Sequence, residues 1–224
     1  MISIAIDGPA GAGKSSVSRR AAKQLGYIYV DTGALYRAVG LKFSQLGIDP
    51  SFEEKIDPVL QNTTVEFRFL EGEQHVFLDG KDVNDQIRTP EASMMASAVS
   101  AKPAVRTFLL EMQRKIAREQ NVIMDGRDIG TVVLPDATVK IFLTASDTVR
   151  AERRFKELSE KGETVDFNDV LHDIQMRDYN DSHRATAPLK QAEDAVFADT
   201  SSCTFEQSVD LVLSIIRERL EQNP

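Results

Sequence analysis

The chain has 224 residues, 42% of them hydrophobic and 28% charged, with a net charge of −8 at pH 7. That length can bury a sizeable core in one or two domains. The acidic balance excludes a general binder of nucleic acid or membrane surface, because no cationic field is present to release counterions along a polyanion, so any bound anion must meet local positive charge.

Cys203 is the only cysteine, which excludes an internal disulfide and paired-thiolate metal sites and fits a reducing compartment. The amino-terminal MISIAIDG lacks the basic region of a signal peptide, and no run approaches the length needed to span a bilayer, so a cytoplasmic protein is expected. His75, His172 and His183 stand far apart and read as surface residues rather than metal ligands. Nothing in the pattern demands an oligomer, and a monomer is expected.

The chain opens with ISIAI (2–6), a β-branched run that reads as a buried strand ending at a glycine cluster. KSSVSRRAAKQLG then reads as a helix closed by Gly26, and YIYVD (27–31) as a second strand. Strand, helix and strand within about thirty residues predict a parallel βαβ unit with a right-handed crossover. The rhythm returns in NVIMD (121–125), VKIFLTA (139–145) and AVFADTS (195–201), the last followed by a helical pattern over 205–222. One sheet of five buried strands is expected.

Between residues 63 and 83 the rhythm changes. Apolar and polar residues alternate around Gly72 and Asp79-Gly80, which predicts a small antiparallel insert. Two charge-rich helical stretches, 146–162 and 167–184, are expected to form an exposed flap.

The glycine cluster carries the strongest chemical signal. Gly8, Gly13, Lys14 and Ser15 match G-x-x-x-x-G-K-[ST] between a predicted strand and a predicted helix. In such a loop successive N–H groups converge on phosphate oxygens, and the helix amino end adds partial positive charge. Gly8, Pro9, Ala10, Gly11, Ala12, Gly13, Lys14, Ser15 and Ser16 are thus the candidate ATP cradle. Lys14 would reach the β- and γ-phosphates, and the Ser15 hydroxyl would ligate Mg²⁺.

A GTPase would need N-K-x-D and a switch D-x-x-G after the third strand, and neither occurs there. Instead the chain carries DTGALYR (31–37), IRTPE (87–91), KPAVR (102–106), DGRDIGTVV (125–133) and MRDYNDSHRATAPL (176–189). Together these stretches resemble the bacterial cytidylate kinase family over nearly the whole chain, including the position of the antiparallel insert. The resemblance implies an α/β P-loop NTPase fold: a five-stranded parallel sheet flanked by helices, an antiparallel β insert in an NMP-binding region and a helical lid. Residues 1–224 would form a single kinase domain, with 59–106 the NMP-binding region and 147–184 the lid. The implied reaction moves the γ-phosphoryl group of ATP to CMP or dCMP with Mg²⁺ as cofactor, the partners being these small molecules and neither a nucleic acid polymer nor a membrane.

The acceptor of such a reaction is a phosphate monoester with a second pKa near 6, already nucleophilic at neutral pH. Catalysis then reduces to positioning and charge neutralisation, which call for arginine, lysine and Mg²⁺. Lys14, Arg127, Arg177 and Arg184 are the candidate catalytic residues, the arginines suiting bidentate phosphate recognition. The family resemblance adds Thr32 and Arg37 as CMP contacts, with Asp31 left as a helix cap or supporting group. It also implies base reading by Ser97, Arg106 and Asp128, where an acid would accept from the cytosine N4 amino group and repel the O4 of uracil. Arg127, Arg177, Asp181 and Arg184 complete the implied CMP set, and the spacing of the last three puts them on one helix face. Asp125 ends an apolar strand, as an acid near Mg²⁺ or an ordinary turn former would. Arg150, Arg153 and Arg154 could approach ATP or form a solvated face. Two other readings stay open: a P-loop kinase acting on a hydroxyl of a small metabolite, with Asp128 as base, and a regulator that binds ATP without turnover.

Overall fold

The computed structural model describes residues 1–70 and 73–222. Five parallel strands form the central sheet: β1 (Ser3–Asp7), β2 (Ile28–Asp31), β6 (Val122–Gly126), β7 (Val139–Thr144) and β8 (Val196–Asp199), in the order β2-β6-β1-β7-β8. The expected βαβ opening is present, with α1 (Lys14–Leu25) crossing between β1 and β2 and stopping at Gly26. β1 lies at the centre, where both faces are covered, and its run of apolar residues is buried accordingly.

One sheet face packs Ile4, Ile6, Ile141 and Leu143 against Val17 and Ala21 of α1 and Val212 and Ile216 of α8 (Phe205–Gln222). The other face sets Ala5, Val30 and Met124 against Ala117 of α5 (Pro103–Glu119). β8 corrects the expectation of five buried strands. It lies on the sheet edge with Phe197 56% exposed, stacked beside Phe142, because only one of its faces has a helix to cover it.

α2 (Thr32–Gln45) follows β2, and α3 (Ile56–Gln61) precedes the insert. The insert is a three-stranded antiparallel sheet of β3 (Val65–Leu70), β4 (Glu73–Leu78) and β5 (Lys81–Asp82). Asp79 and Gly80, at φ 51° and 79°, make the expected tight turn between β4 and β5. The turn expected at Gly72 lies outside the described residues. Val65, Val76, Leu78, Val83 and Ile87 share a core with Leu35, Val39 and Phe43 of α2, so the insert is packed onto that helix.

Proline starts both helices that follow, α4 (Pro90–Ser100) and α5, where the missing N–H has no partner to lose. The two charged stretches are α6 (Asp147–Glu160) and α7 (Phe167–His183). They are less exposed than the composition suggests, since Ala151, Leu158, Val170 and Ile174 form a small core of their own. No described helix is long and apolar enough to cross a membrane.

Candidate active site

The carboxyl ends of β1, β2 and β6 converge on one cleft, the usual place for a ligand in an open α/β sheet. Gly8 allows the chain to leave β1. Its φ is 152°, and a Cβ there would stand 1.9 Å from the Leu143 carbonyl oxygen, so no side chain fits. The loop then turns over the amino end of α1, where the Lys14 ammonium donates to the Pro9 carbonyl at 2.7 Å. Burial, with Arg127 adding to it, pulls the Lys14 pKa down to about 7.

Beneath this loop the Ser15 hydroxyl donates to Asp125 Oδ2 at 2.8 Å, and the Tyr29 hydroxyl to Asp125 Oδ1 at 3.0 Å. Burial, reinforced by the neighbouring Asp31, pushes the Asp125 carboxyl up to about 6. Asp7, at the end of β1, accepts from the backbone N–H groups of Ile129 and Gly130 at 2.7 Å each. Those residues open a short π-helical turn (Ile129–Val133), so Asp7 holds the segment carrying Arg127 and Asp128. Burial raises the Asp7 pKa to about 6 in spite of both bonds.

Arginines line the opposite wall. Asp31 caps α2 by accepting from Ala34 N and pairs with Arg37 Nη2 at 2.7 Å. The Thr32 hydroxyl donates to the Asp125 carbonyl at 2.8 Å. Arg127 Nε donates to Asp181 Oδ2 at 2.8 Å. Asp128 is clasped from both sides, its Oδ2 by Arg106 Nη2 and its Oδ1 by Arg184 Nη2 at 3.2 Å. Ser100 adds its carbonyl to Arg106 and its hydroxyl to Arg184.

Burial, then Arg127, lowers the Arg177 pKa to about 10, and burial also lowers that of Arg184. Burial alone would raise the Asp181 carboxyl, but Arg127, Arg177 and Arg184 outweigh it and hold it low. Arg37 Nε and Arg177 Nε are buried without a hydrogen-bond partner among the described residues. Buried donors of this kind are costly unless something accepts from them.

A cavity of about 620 Å³ brings the two walls together. The candidate ATP and CMP residues from the sequence line it, except Gly8 and Pro9. One expectation needs correction. Arg184 does not lie on the helix face with Arg177 and Asp181: α7 stops at His183 and Arg184 is its cap, at φ −63° and ψ 140°, reaching Asp128 from an extended backbone. Of the three arginines of α6 open to either an ATP contact or a solvated face, Arg150 is turned away from the cavity, donating to the Ala10 carbonyl at 2.8 Å and pairing with Asp178 at 2.7 Å, whereas Arg153 and Arg154 line the wall.

Tyr29, Tyr36, Ser100 and Asp7 escaped the sequence reading. Asp7 stands just before the glycine cluster, and a charged residue closing an apolar strand is a visible signal. Tyr36, whose ring faces Arg106 at 5.5 Å, and Ser100 have no local pattern that marks them.

The family model described as cytidylate kinase matches residues 4–218. A cytidylate kinase from Caldicellulosiruptor bescii is 52% identical over 214 residues, covering 96% of this chain and 95% of the relative. Those from Lactobacillus johnsonii and Enterococcus faecalis are 48% and 49% identical, covering 98% and 97% of this chain and 95% and 96% of the relatives. A solved structure of a protein from Eubacterium ventriosum has a TM-score of 0.53 at 13% identity, covering 97% of this chain and 99% of that one, a likeness of fold alone.

Proposed function

This chain belongs to the cytidylate kinase family, and from that premise we propose how its residues share the work. The reaction is transfer of the γ-phosphoryl group of ATP to CMP or dCMP, a nucleoside monophosphate kinase activity. The observation that supports the assignment best is the facing of two phosphate-seeking surfaces across one cavity, the loop of Lys14 on one side and Arg37, Arg127, Arg177 and Arg184 on the other.

The loop from Gly8 to Ser16 wraps the triphosphate of ATP through its N–H groups, and Lys14 follows the β- and γ-phosphates. Lys14 gives up its bond to Pro9 for the phosphates and gains a proton's full charge as they arrive, because anionic oxygens reverse the cost of burial. Ser15 Oγ and the Asp125 carboxylate are oxygen donors that fit Mg²⁺, and a cation there would relieve the raised Asp125. Bound there, Mg²⁺ would neutralise phosphate charge.

On the acceptor side, the unpartnered Nε groups of Arg37 and Arg177 take the CMP phosphate. That phosphate needs no base, so the arginines act by holding it in line with the γ-phosphorus and neutralising the charge shared between donor and acceptor. Arg127 and Arg184 add to that neutralisation, and Asp181, held ionised by them, accepts from the sugar hydroxyls. Asp128, Arg106 and Ser97 face the cytosine. The α6–α7 pair acts as the lid that excludes water, without which the γ-phosphoryl group would be lost to hydrolysis.

Release of ADP, followed with CMP, dCMP, UMP, AMP and a panel of small hydroxyl compounds, tests the reading. Turnover is expected with CMP and dCMP well above the rest. Preference for a hydroxyl compound, or no turnover with any monophosphate, would overturn it.

A further inference from the structure

The antiparallel insert has no part in the mechanism above, yet one of its side chains reaches the acceptor wall. Gln74 of β4 accepts from the backbone N–H of Asp31 at 2.7 Å and donates to its carbonyl at 3.3 Å. β2 is an edge strand of the central sheet, so Asp31 has main-chain groups facing away from its neighbour β6. The Gln74 amide completes that edge as a further strand would. Gln74 is itself fastened, since the Asn84 side chain donates to its carbonyl at 3.1 Å and accepts from Val76 N at 3.0 Å.

The chain of contacts continues into the cavity. Asp31, once its backbone is clamped, spends one carboxylate oxygen on capping α2 and the other on Arg37 Nη2. Arg37 has no described hydrogen-bond partner for Nε, so its aim depends on that single ion pair and on the helix below it.

We propose that Gln74 is a positioning residue for the acceptor phosphate, acting through Asp31 on Arg37, so that the insert serves to aim an arginine in the neighbouring wall. The inference rests on the reading of Arg37 as a phosphate ligand. It gives the insert a role in substrate affinity that its packing against α2 alone would not require.

The test is a double-mutant cycle on the full chain with Gln74→Leu and Arg37→Ala, reading KM for CMP and for ATP and the melting temperature. Gln74→Leu keeps the volume and removes both hydrogen bonds, and is expected to raise KM for CMP by about fivefold or more with KM for ATP within about twofold. On the Arg37→Ala background the same change is expected to add less than about twofold, because residues acting through one another are not additive. An unchanged KM for CMP, a rise shared equally by ATP, or full additivity with Arg37→Ala overturns the inference while leaving Arg37 as a ligand. If Arg37→Ala alone leaves KM for CMP unchanged, the reading of Arg37 falls and this inference with it. Should Gln74→Leu fail to fold, Gln74→Asn, one methylene too short to reach Asp31, gives the same cycle with the same outcomes.

Discussion

Replacing Asp128 by Asn separates its two proposed duties, as counter-ion and as base reader. The side chain is 6% exposed and lies between Arg106 and Arg184, at 9% and 7%. Asn keeps the volume and removes the charge, leaving two guanidinium groups buried together without their anion. Breaking a buried pair in this way costs about 3–5 kcal/mol. At about 2–4 °C per kcal/mol for a chain of this size, the melting temperature should fall by roughly 6–20 °C. Asp181 stands 3.9 Å from Arg184 and compensates in part, which favours the lower half of that range.

Recognition follows a different rule. Each carboxylate oxygen has two acceptor positions, so Asp128 can hold its arginines and still accept from the N4 amino group of cytosine. It can only accept, and uracil presents another acceptor at that place. An amide can rotate to donate instead, so Asp128→Asn should lower the CMP-to-UMP ratio of kcat/KM by about 1–3 kcal/mol, or roughly 5- to 150-fold. Release of ADP with each monophosphate measures the ratio, KM for ATP serves as the control, and a thermal melt reads the stability. A variant that folds, binds ATP and keeps the parental ratio would reduce Asp128 to a structural counter-ion.

Gly8→Ala should give a protein that is insoluble or melts more than about 10 °C lower, since a Cβ placed 1.9 Å from a backbone oxygen must push β7 out of register; an ordinary melt would refute the close packing. Asp7 gives a pH signature. Its folded pKa of about 6 lies above the 3.8 of the free carboxyl, so its contribution is greatest below about pH 4 and is lost as the pH rises through about 6. At about 1.4 kcal/mol for each tenfold change in proton affinity, the interval between those two values amounts to about 3 kcal/mol. Asp125 acts in the same direction and the depressed carboxylates such as Asp181 in the opposite one, so Asp7→Asn should make stability by urea unfolding fall less, or rise more, from pH 4 to 7 than in the parent; an unaltered slope would contradict the assignment. Arg150→Met should raise KM for ATP by about threefold or more and leave KM for CMP unchanged, because Arg150 supports the loop at Ala10 rather than either ligand; a matching loss for both would place Arg150 elsewhere in the mechanism.

Local chemistry made much of this protein legible before folding. The loop from Gly8 to Ser16 is declared by its spacing, because the phosphate cradle proposed there would be built from consecutive backbone N–H groups. The strands of the central sheet are declared by apolar runs, the Asp79-Gly80 turn by residues that tolerate positive φ, and the cap at Asp31 by a side chain that bonds three residues ahead. Edge position was harder to see, as β8 shows: a short apolar run reads the same whether one face is covered or two.

What the sequence determined by itself was therefore the fold class, the glycine-rich loop proposed to hold the triphosphate, and the supply of arginines. Tertiary structure decided how those arginines are used. Arg184 meets Asp128 across 56 residues from beyond the end of its helix, Asp7 holds Ile129 across 122, and Gln74 braces Asp31 across 43. Hydrogen bonds between neighbours in sequence leave a period or a motif, whereas these contacts arise only when separate elements are packed onto one sheet, and no local pattern encodes them.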